Sequence, residues 1–433
     1  MDSPAPHSTQ ARPSAQPASS GIVLTMLLIV YIFNFLDRQI LSILAAPIQQ
    51  ELGLGDGQMG LLGGLAFAIL YSTLAVPLAT LADRTSRSWV ITVSLVCWSA
   101  FTALCGLAHN FWQMFLARLG VGVGEAGGVA PSYALITEYF PPEKRSWALA
   151  VYSLGIPLGS AFGVLAGGYI AQNIDWRLAF FVVGAGGLLI APLFKLLVRD
   201  KPKSEAAGTT IASRPSLGDT ARLLMAKRSF WFLAFGASAS SMLGYGVLFW
   251  LPSLLLRSYQ FELVEASWFF GGLLLIGGVS GILLGGWLGG RLGQADRAWH
   301  GFVPAIAFVI GVPTYAIGIS VPDWRIAFLV LLVPTALANV WLGPVLSAVQ
   351  HLVAAPQRAM ASALFLLINN LLGPAGGIYA LGALSDALDG VYGSEALRYS
   401  MLYALGLYFV AATLMALGGM ALRKDWVEET AGA

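Results

Sequence analysis

The chain of 433 residues carries 24 Lys and Arg against 22 Asp and Glu, is 57% hydrophobic and only 11% charged, and has a mean hydropathy of +0.74. Soluble domains average about 25% charged residues, so a water-soluble fold of this length is excluded. The net charge of +2, without a basic tract, sets nucleic acid aside as a partner, and membrane lipids become the expected surroundings.

Residues 1–20 are rich in Pro, Ser and Ala without an apolar core, and read as a disordered cytoplasmic tail rather than a signal peptide. Apolar runs long enough to cross about 30 Å of hydrocarbon then predict helices near 21–48, 58–81, 88–108, 111–139, 146–171 and 176–198. After the polar connection 199–228, with Arg199, Lys201, Lys203, Arg214, Arg222, Lys227 and Arg228, six more follow near 229–256, 264–290, 299–320, 324–351, 358–385 and 396–422. The alternating segments of a β-barrel are missing. The expected fold is therefore all-α, with twelve transmembrane helices in two pseudo-symmetric six-helix halves, 21–198 and 229–422, and a tail at 423–433.

Counted by side, eighteen Lys and Arg fall on the face of the termini and four on the other, with Arg38 and Arg118 inside spans. This bias places both termini in the cytoplasm. Cys97 and Cys105 are the only cysteines, about 12 Å of helical rise apart, too far for a disulfide, and no metal-ligand spacing occurs. Trp176-Arg177 and Trp324-Arg325 open the sixth and tenth helices as interface anchors.

Glycines recur every four residues in helix 5 (Gly155, Gly159, Gly163, Gly167) and in helix 8 (Gly277, Gly281, Gly285, Gly289). They serve either as sliding faces across the divide between halves or as static packing faces, each within its own half. Pro157 adds a bend to helix 5.

Four ionisable residues sit where charge is expensive: Asp37 and Arg38 in helix 1, Arg118 and Glu125 in helix 4. Each costs about 2.5–3.5 kcal/mol near a helix centre on insertion scales, so they should face water or one another. Arg118 and Glu125 lie seven residues apart on one helix face, while Arg38 points about 100° away from Asp37. The expected roles are proton exchange on Asp37 and Glu125, with Arg118 and Arg38 as their cationic partners. A static salt-bridge cluster is the alternative. Asp83, Arg84 and Arg87 after helix 2 form a candidate gate latch, although a topology signal explains the arginines equally well. Helices 7 to 12 contain no interior charge; they offer Tyr245, Phe249, Asn339, Asn369 and Asn370 as a neutral, amphiphilic wall to which Arg38 or Arg118 would add an anion-binding cation.

The segment Leu81-Ala82-Asp83-Arg84-Thr85-Ser86-Arg87, echoed as Gly289-Gly290-Arg291-Leu292-Gly293, together with Arg118, Gly122 and Gly124, resembles the signatures of the major facilitator superfamily. Asn34-Phe35-Leu36-Asp37-Arg38, Arg118 through Ala126 (Arg-Leu-Gly-Val-Gly-Val-Gly-Glu-Ala) and Ile156-Pro157-Leu158-Gly159-Ser160 resemble its Spinster (Spns) branch. That branch is implicated in export of sphingosine 1-phosphate and lysophospholipids. The departure Gly127-Gly128-Val129-Ala130-Pro131 separates this chain from animal members.

The resemblance implies a proton-coupled secondary transporter of an amphiphilic anion working by alternating access, with the same roles for the four charges. A symporter of a small organic anion and a membrane receptor that moves nothing are the competing readings. An enzyme is not expected, because there is no Gly-x-Ser-x-Gly elbow and the four histidines are scattered. No cofactor is expected, and the phosphate-binding Gly-x-x-x-x-Gly-Lys-Ser/Thr loop of ATP-driven pumps is missing. A monomer in a bacterial inner membrane completes the expectation.

Overall fold

The computed structural model describes residues 19–200, 217–354 and 357–427. The tail at 1–18, Lys201, Lys203 and Arg214 of the central connection, and the end of the C-terminal tail lie outside the described residues. Those described form helices and turns, and the helices assemble into twelve spans.

In the first half, α1 (Ser20–Ile43) and α2 (Ala45–Leu52) make span 1, and α3 (Asp56–Gly63) and α4 (Leu65–Arg84) span 2. Span 3 is α5 (Arg87–Cys105). Spans 4 and 5 are again divided, into α6 (Phe111–Glu125) with α7 (Val129–Tyr139), and α8 (Pro142–Ser153) with α9 (Gly155–Asn173). Span 6 is α10 (Trp176–Leu197). A short helix, α11 (Leu217–Met225), precedes the second half.

There, α12 (Arg228–Ser258) is span 7. Span 8 runs from α13 (Leu263–Leu273) through a π-helical turn, Leu274–Gly278, into α14 (Val279–Ala295). Span 9 is α15 (Trp299–Ser320), span 10 is α16 (Trp324–Leu337) with α17 (Leu342–Gln350), and span 11 is α18 (Arg358–Tyr392). Span 12 is α19 (Ala396–Ala404) with α20 (Gly406–Asp425). An even number of crossings brings both ends of the chain to one face, called here the terminal face; the other is the outer face.

Proline explains where four of these spans are interrupted. Each restarts as a helix whose third residue is proline: Pro47 in α2, Pro131 in α7, Pro157 in α9 and Pro344 in α17. The first turn of a helix has no intrahelical acceptors for its N–H groups, so proline is tolerated there, whereas in a continuous helix it would clash with the preceding turn. The bend expected at Pro157 falls at Leu154, a single residue with right-handed helical angles (φ −61°, ψ −19°) between α8 and α9.

The two glycine stripes pack inside their own halves. A Cβ on Gly159 would lie 2.3 Å from the Ile32 carbonyl oxygen of span 1, and one on Gly281 would lie 2.0 Å from the Ala336 carbonyl oxygen of span 10. Of the two readings the stripes allowed, the structure takes the static one. Spans 5 and 8 do meet across the divide, but through Gly168 against Ser267 and Gly271 against Leu165, outside the stripe of helix 8 and one residue past that of helix 5.

Candidate functional site

At the outer face the halves are sealed by a network centred on Asp56, the first residue of α3. Arg257 of span 7 grips its carboxylate with both terminal nitrogens, at 2.6 and 2.7 Å. Gln49 and Ser385 each donate to it at 2.7 Å. Asp386 of span 11 in turn accepts from the backbone N–H groups of Asp56 (2.9 Å) and Gly57 (2.8 Å), capping α3 from the opposite half. Ser42 of span 1 donates to the Phe249 carbonyl of span 7 at 2.8 Å. Between spans 5 and 8, the Gln172 amide donates to Glu262 (2.7 Å) and accepts from the Val264 N–H (2.6 Å).

On the terminal side of this seal lies a cavity of about 120 Å³ between the halves. Phe35 and Gln39 of span 1 and Ile156, Pro157 and Ser160 of span 5 form one wall; Ser240, Ser241, Tyr245 and Leu248 of span 7 face them. Leu274 and Gly278, the two ends of the π-turn, also line it, as do Thr335, Asn339 and Trp341 of span 10. The wall is mainly apolar, with polar groups at a few fixed points, the usual make-up of a small-molecule site. Tyr245 is 42% exposed although it sits near the middle of span 7.

Beside the cavity, the four intramembrane charges form two crossed pairs. Arg38 Nε donates to Glu125 Oε2 at 2.7 Å, and Arg118 Nη1 stands 3.8 Å from Asp37 Oδ1. Glycines in span 4 make this possible by close approach. A Cβ on Gly122 would fall 2.4 Å from the Phe67 carbonyl oxygen, and one on Gly124 would fall 2.4 Å from the Trp98 backbone nitrogen. Spans 2, 3 and 4 therefore close around Arg118 and Glu125, which are 2% and 0% exposed. The Arg38 guanidinium lies 4.6 Å from the Tyr71 ring centre and 4.7 Å from that of Phe67, a cation–π box. Its side chain keeps 22% of its surface exposed. Arg38 is thus the member of the cluster that reaches accessible space, while Asp37 and Glu125 lie behind it.

Pairing leaves each carboxylate half satisfied. Asp37 Oδ1 and Glu125 Oε1 have no hydrogen-bond partner, nor do Arg118 Nη1 and Arg38 Nη2. Asp37 Oδ2 accepts from the Thr102 hydroxyl. In a site this buried, an ionised oxygen without a donor is costly.

The profile of the Major Facilitator Superfamily matches residues 27–378. The chain belongs to that superfamily. It is 32% identical to an MFS-type efflux pump of Mycolicibacterium smegmatis, over 95% of this chain and 96% of that protein. It is 26% identical to human protein spinster homolog 1, over 86% of this chain and 74% of the relative. Among solved structures, a bacterial homologue of the human lysosomal transporter Spinster, captured inward-facing and unoccupied, superposes with a TM-score of 0.86 at 27% identity. That match covers 96% of this chain and all of the other. This protein is accordingly a multi-pass membrane transporter of the major facilitator type, related to Spinster.

The other residues singled out from the sequence of this transporter are dispersed. Tyr245 and Asn339 line the cavity. Phe249 is buried in the seal against Gly63, Asn369 accepts from Ser241 at 2.9 Å behind the wall, and none of Asn370, Arg118 and Arg38 is among the lining residues. Arg87 bonds Asp83 at 2.9 Å and also Glu138, which ties spans 2, 3 and 4 of one half together; Arg84 is exposed at the end of α4. Trp176 and Arg177 are not lipid-interface anchors. Trp176 is 4% exposed and donates to Glu51 at 2.5 Å, and Arg177 pairs with Glu51 at 2.7 Å while donating to the Gly106 and Ala108 carbonyls.

Sequence reasoning missed the Asp56–Arg257 seal and Thr102. The signal for the first was an acid between two glycines facing one of only four cations on the outer side. For Thr102 there was none, since threonine is common in apolar helices.

Proposed function

We propose that the protein is a proton-coupled transporter of an amphiphilic anion, of lysophospholipid or sphingosine-phosphate-like chemistry, moving it by alternating access. The observation that carries this reading is the pair of buried carboxylates, each facing its own arginine and each with one oxygen lacking a protein donor. Protonation of either carboxylate removes the charge and so relieves that cost, and a closer arginine relieves it too. A shift of span 1 against span 4 inside the first half, accompanying the rocking, that changes the Arg38–Glu125 or Arg118–Asp37 spacing therefore exchanges one for the other. In this scheme Asp37 and Glu125 carry protons and Arg38 and Arg118 hold them when ionised.

The apolar cavity wall suits an acyl chain. Tyr245 and Asn339 offer neutral polar contacts, and the exposed edge of Arg38 suits an anionic head group. We place both termini in the cytoplasm of a bacterial inner membrane on the distribution of Lys and Arg, which makes the sealed outer face extracytoplasmic. Residues 21–198 and 229–422 are then the rocking units, with Asp83, Arg84 and Arg87 stiffening the cytoplasmic end of the first and acting as a latch when that end closes. A single chain is the proposed unit, since its two halves each supply walls of the cavity.

Reconstitution into liposomes with an imposed pH gradient tests the reading. Flux of a lysophospholipid that accelerates with the gradient supports it. Gradient-driven flux confined to water-soluble acids would move the assignment to a small-anion symporter, and saturable binding without flux would make the protein a receptor.

A further inference from the structure

Thr102, on α5 of span 3, is fully buried and makes two hydrogen bonds with one hydroxyl. Its Oγ1 donates to Asp37 Oδ2 and also lies 2.9 Å from the carbonyl oxygen of Trp98, one turn earlier in the same helix. A hydroxyl has one hydrogen and two lone pairs, so it cannot donate to both acceptors at once. The arrangement is complete in either of two states that differ by one proton.

We infer that Thr102 is a positioning residue that fixes Oδ2 as the oxygen of Asp37 that carries the proton, and lets the site change its protonation without moving a side chain. The inference rests on the proton-coupling reading above. With Asp37 ionised, the Thr102 hydrogen points at Oδ2. When a hydronium ion in the passage gives its proton to Oδ2, its O–H bond breaks as the carboxyl O–H bond forms and a water molecule is left; the new hydrogen points at Thr102 Oγ1, and the Thr102 hydrogen turns to the Trp98 carbonyl. The only rotation is that of a hydroxyl.

Oδ1 has no comparable support: it stands 3.8 Å from Arg118 and has no hydrogen-bond partner. A proton there would face a cation and no acceptor. The ionisable groups facing Asp37 are Arg118 and Glu125 from span 4, Arg38 from its own helix and Cys105 from span 3. The two cations oppose protonation and Glu125 favours it. Among these neighbours, Thr102 alone is suited to serve both charge states through one rotatable hydrogen. A helical threonine bonded back to the carbonyl four residues earlier is common; what sets this one apart is the second acceptor, a buried carboxylate.

Infrared difference titration of the full-length protein in phosphatidylethanolamine and phosphatidylglycerol liposomes tests this without a transport substrate. The carbonyl stretch of the protonated Asp37 carboxyl is identified as the band that Asp37→Asn removes. Thr102→Val keeps the shape and loses the hydroxyl. Because a hydrogen bond to a carboxylate is stronger than one to a neutral acid, its band is expected to titrate at a midpoint higher by roughly 0.5–1 pH unit and at higher frequency. Thr102→Ser should restore both. Thr102→Ala removes the same hydroxyl and repeats the measurement if valine disturbs packing.

A wild-type midpoint and frequency in both Thr102→Val and Thr102→Ala overturns the inference while leaving proton coupling at Asp37 intact. If Asp37→Asn removes no titrating band, the proton-coupling reading itself fails, and the role of Thr102 falls with it.

Discussion

The two halves share a helical plan and differ in what they bury. The first sinks two acids and two arginines between spans 1 and 4, while the lining of the cavity from the second half is uncharged. The first also pays in unsatisfied polar atoms, with partnerless nitrogens and oxygens on all four charged residues. In the second half Asn369 accepts from Ser241 between spans 11 and 7, and the buried atoms without a partner include neutral hydroxyls such as those of Ser240 and Ser253. Stability alone does not explain the first arrangement, because a buried ion pair is commonly no better than well-packed apolar residues. Under the function proposed above, the contrast corresponds to energy coupling in one half and shape recognition in the other.

The largest break in that contrast is removal of a titrating group. Asp37→Asn or Glu125→Gln should reduce gradient-driven flux in liposomes to background while leaving the yield of monodisperse protein unchanged. Retained proton dependence in both would make the cluster purely structural. Next comes Arg118→Gln, which strands Asp37 as an unpaired buried charge. A loss of about 3–5 kcal/mol is expected, measurable by denaturation in detergent, and Asp37→Asn in the same chain should recover much of it. Additive losses in the double variant would mean that the 3.8 Å pair does not couple.

The second half gives the complementary test. Tyr245→Ala and Asn339→Ala should each raise the substrate KM by roughly five- to tenfold, equivalent to about 1 kcal/mol, without displacing the pH profile. A displaced profile would spread coupling across both halves.

The smallest effect lies outside the membrane, at Asp200. Burial alone would raise its pKa, but hydrogen bonds from Ser86 and from the Ser88 N–H and hydroxyl, with Lys195 nearby, hold it below the usual carboxylate range. Its contribution is full above the unfolded pKa of about 3.9 and is lost as pH falls through the lower folded value. Asp200→Asn should therefore cost about 1 kcal/mol at neutral pH, and its melting temperature should converge with that of the wild type in acid.

Much of this was legible in the sequence because the bilayer imposes strong rules. Apolar length marks spans, and charge inside a span demands a partner, so the membership of the Asp37, Arg38, Arg118 and Glu125 cluster follows from composition. The 100° offset of Arg38 from Asp37 sent the two side chains in different directions, and in the structure Arg38 pairs with Glu125 while Arg118 stands beside Asp37. What remained hidden depends on which helix faces which. Glycine spacing announces close approach but not the neighbour, and the stripes of helices 5 and 8 turned out to face spans 1 and 10. The breaks before Pro47, Pro131 and Pro344 were written in the sequence as prolines, yet within continuous apolar runs they read as spans. Asp56 and Arg257 stand 201 residues apart and become a seal only once the halves meet.

The central claim is that protonation of the first-half carboxylates governs which face of the transporter is open. Spin labels at Ile174→Cys and Val391→Cys, exposed positions beyond the seal on opposite halves, in a background with Cys97 and Cys105 replaced, would report the outer opening as a distance. That distance distribution should shift with pH in the otherwise native chain and be fixed when Asp37→Asn and Glu125→Gln are combined. A distribution that follows pH equally in both proteins would contradict the account.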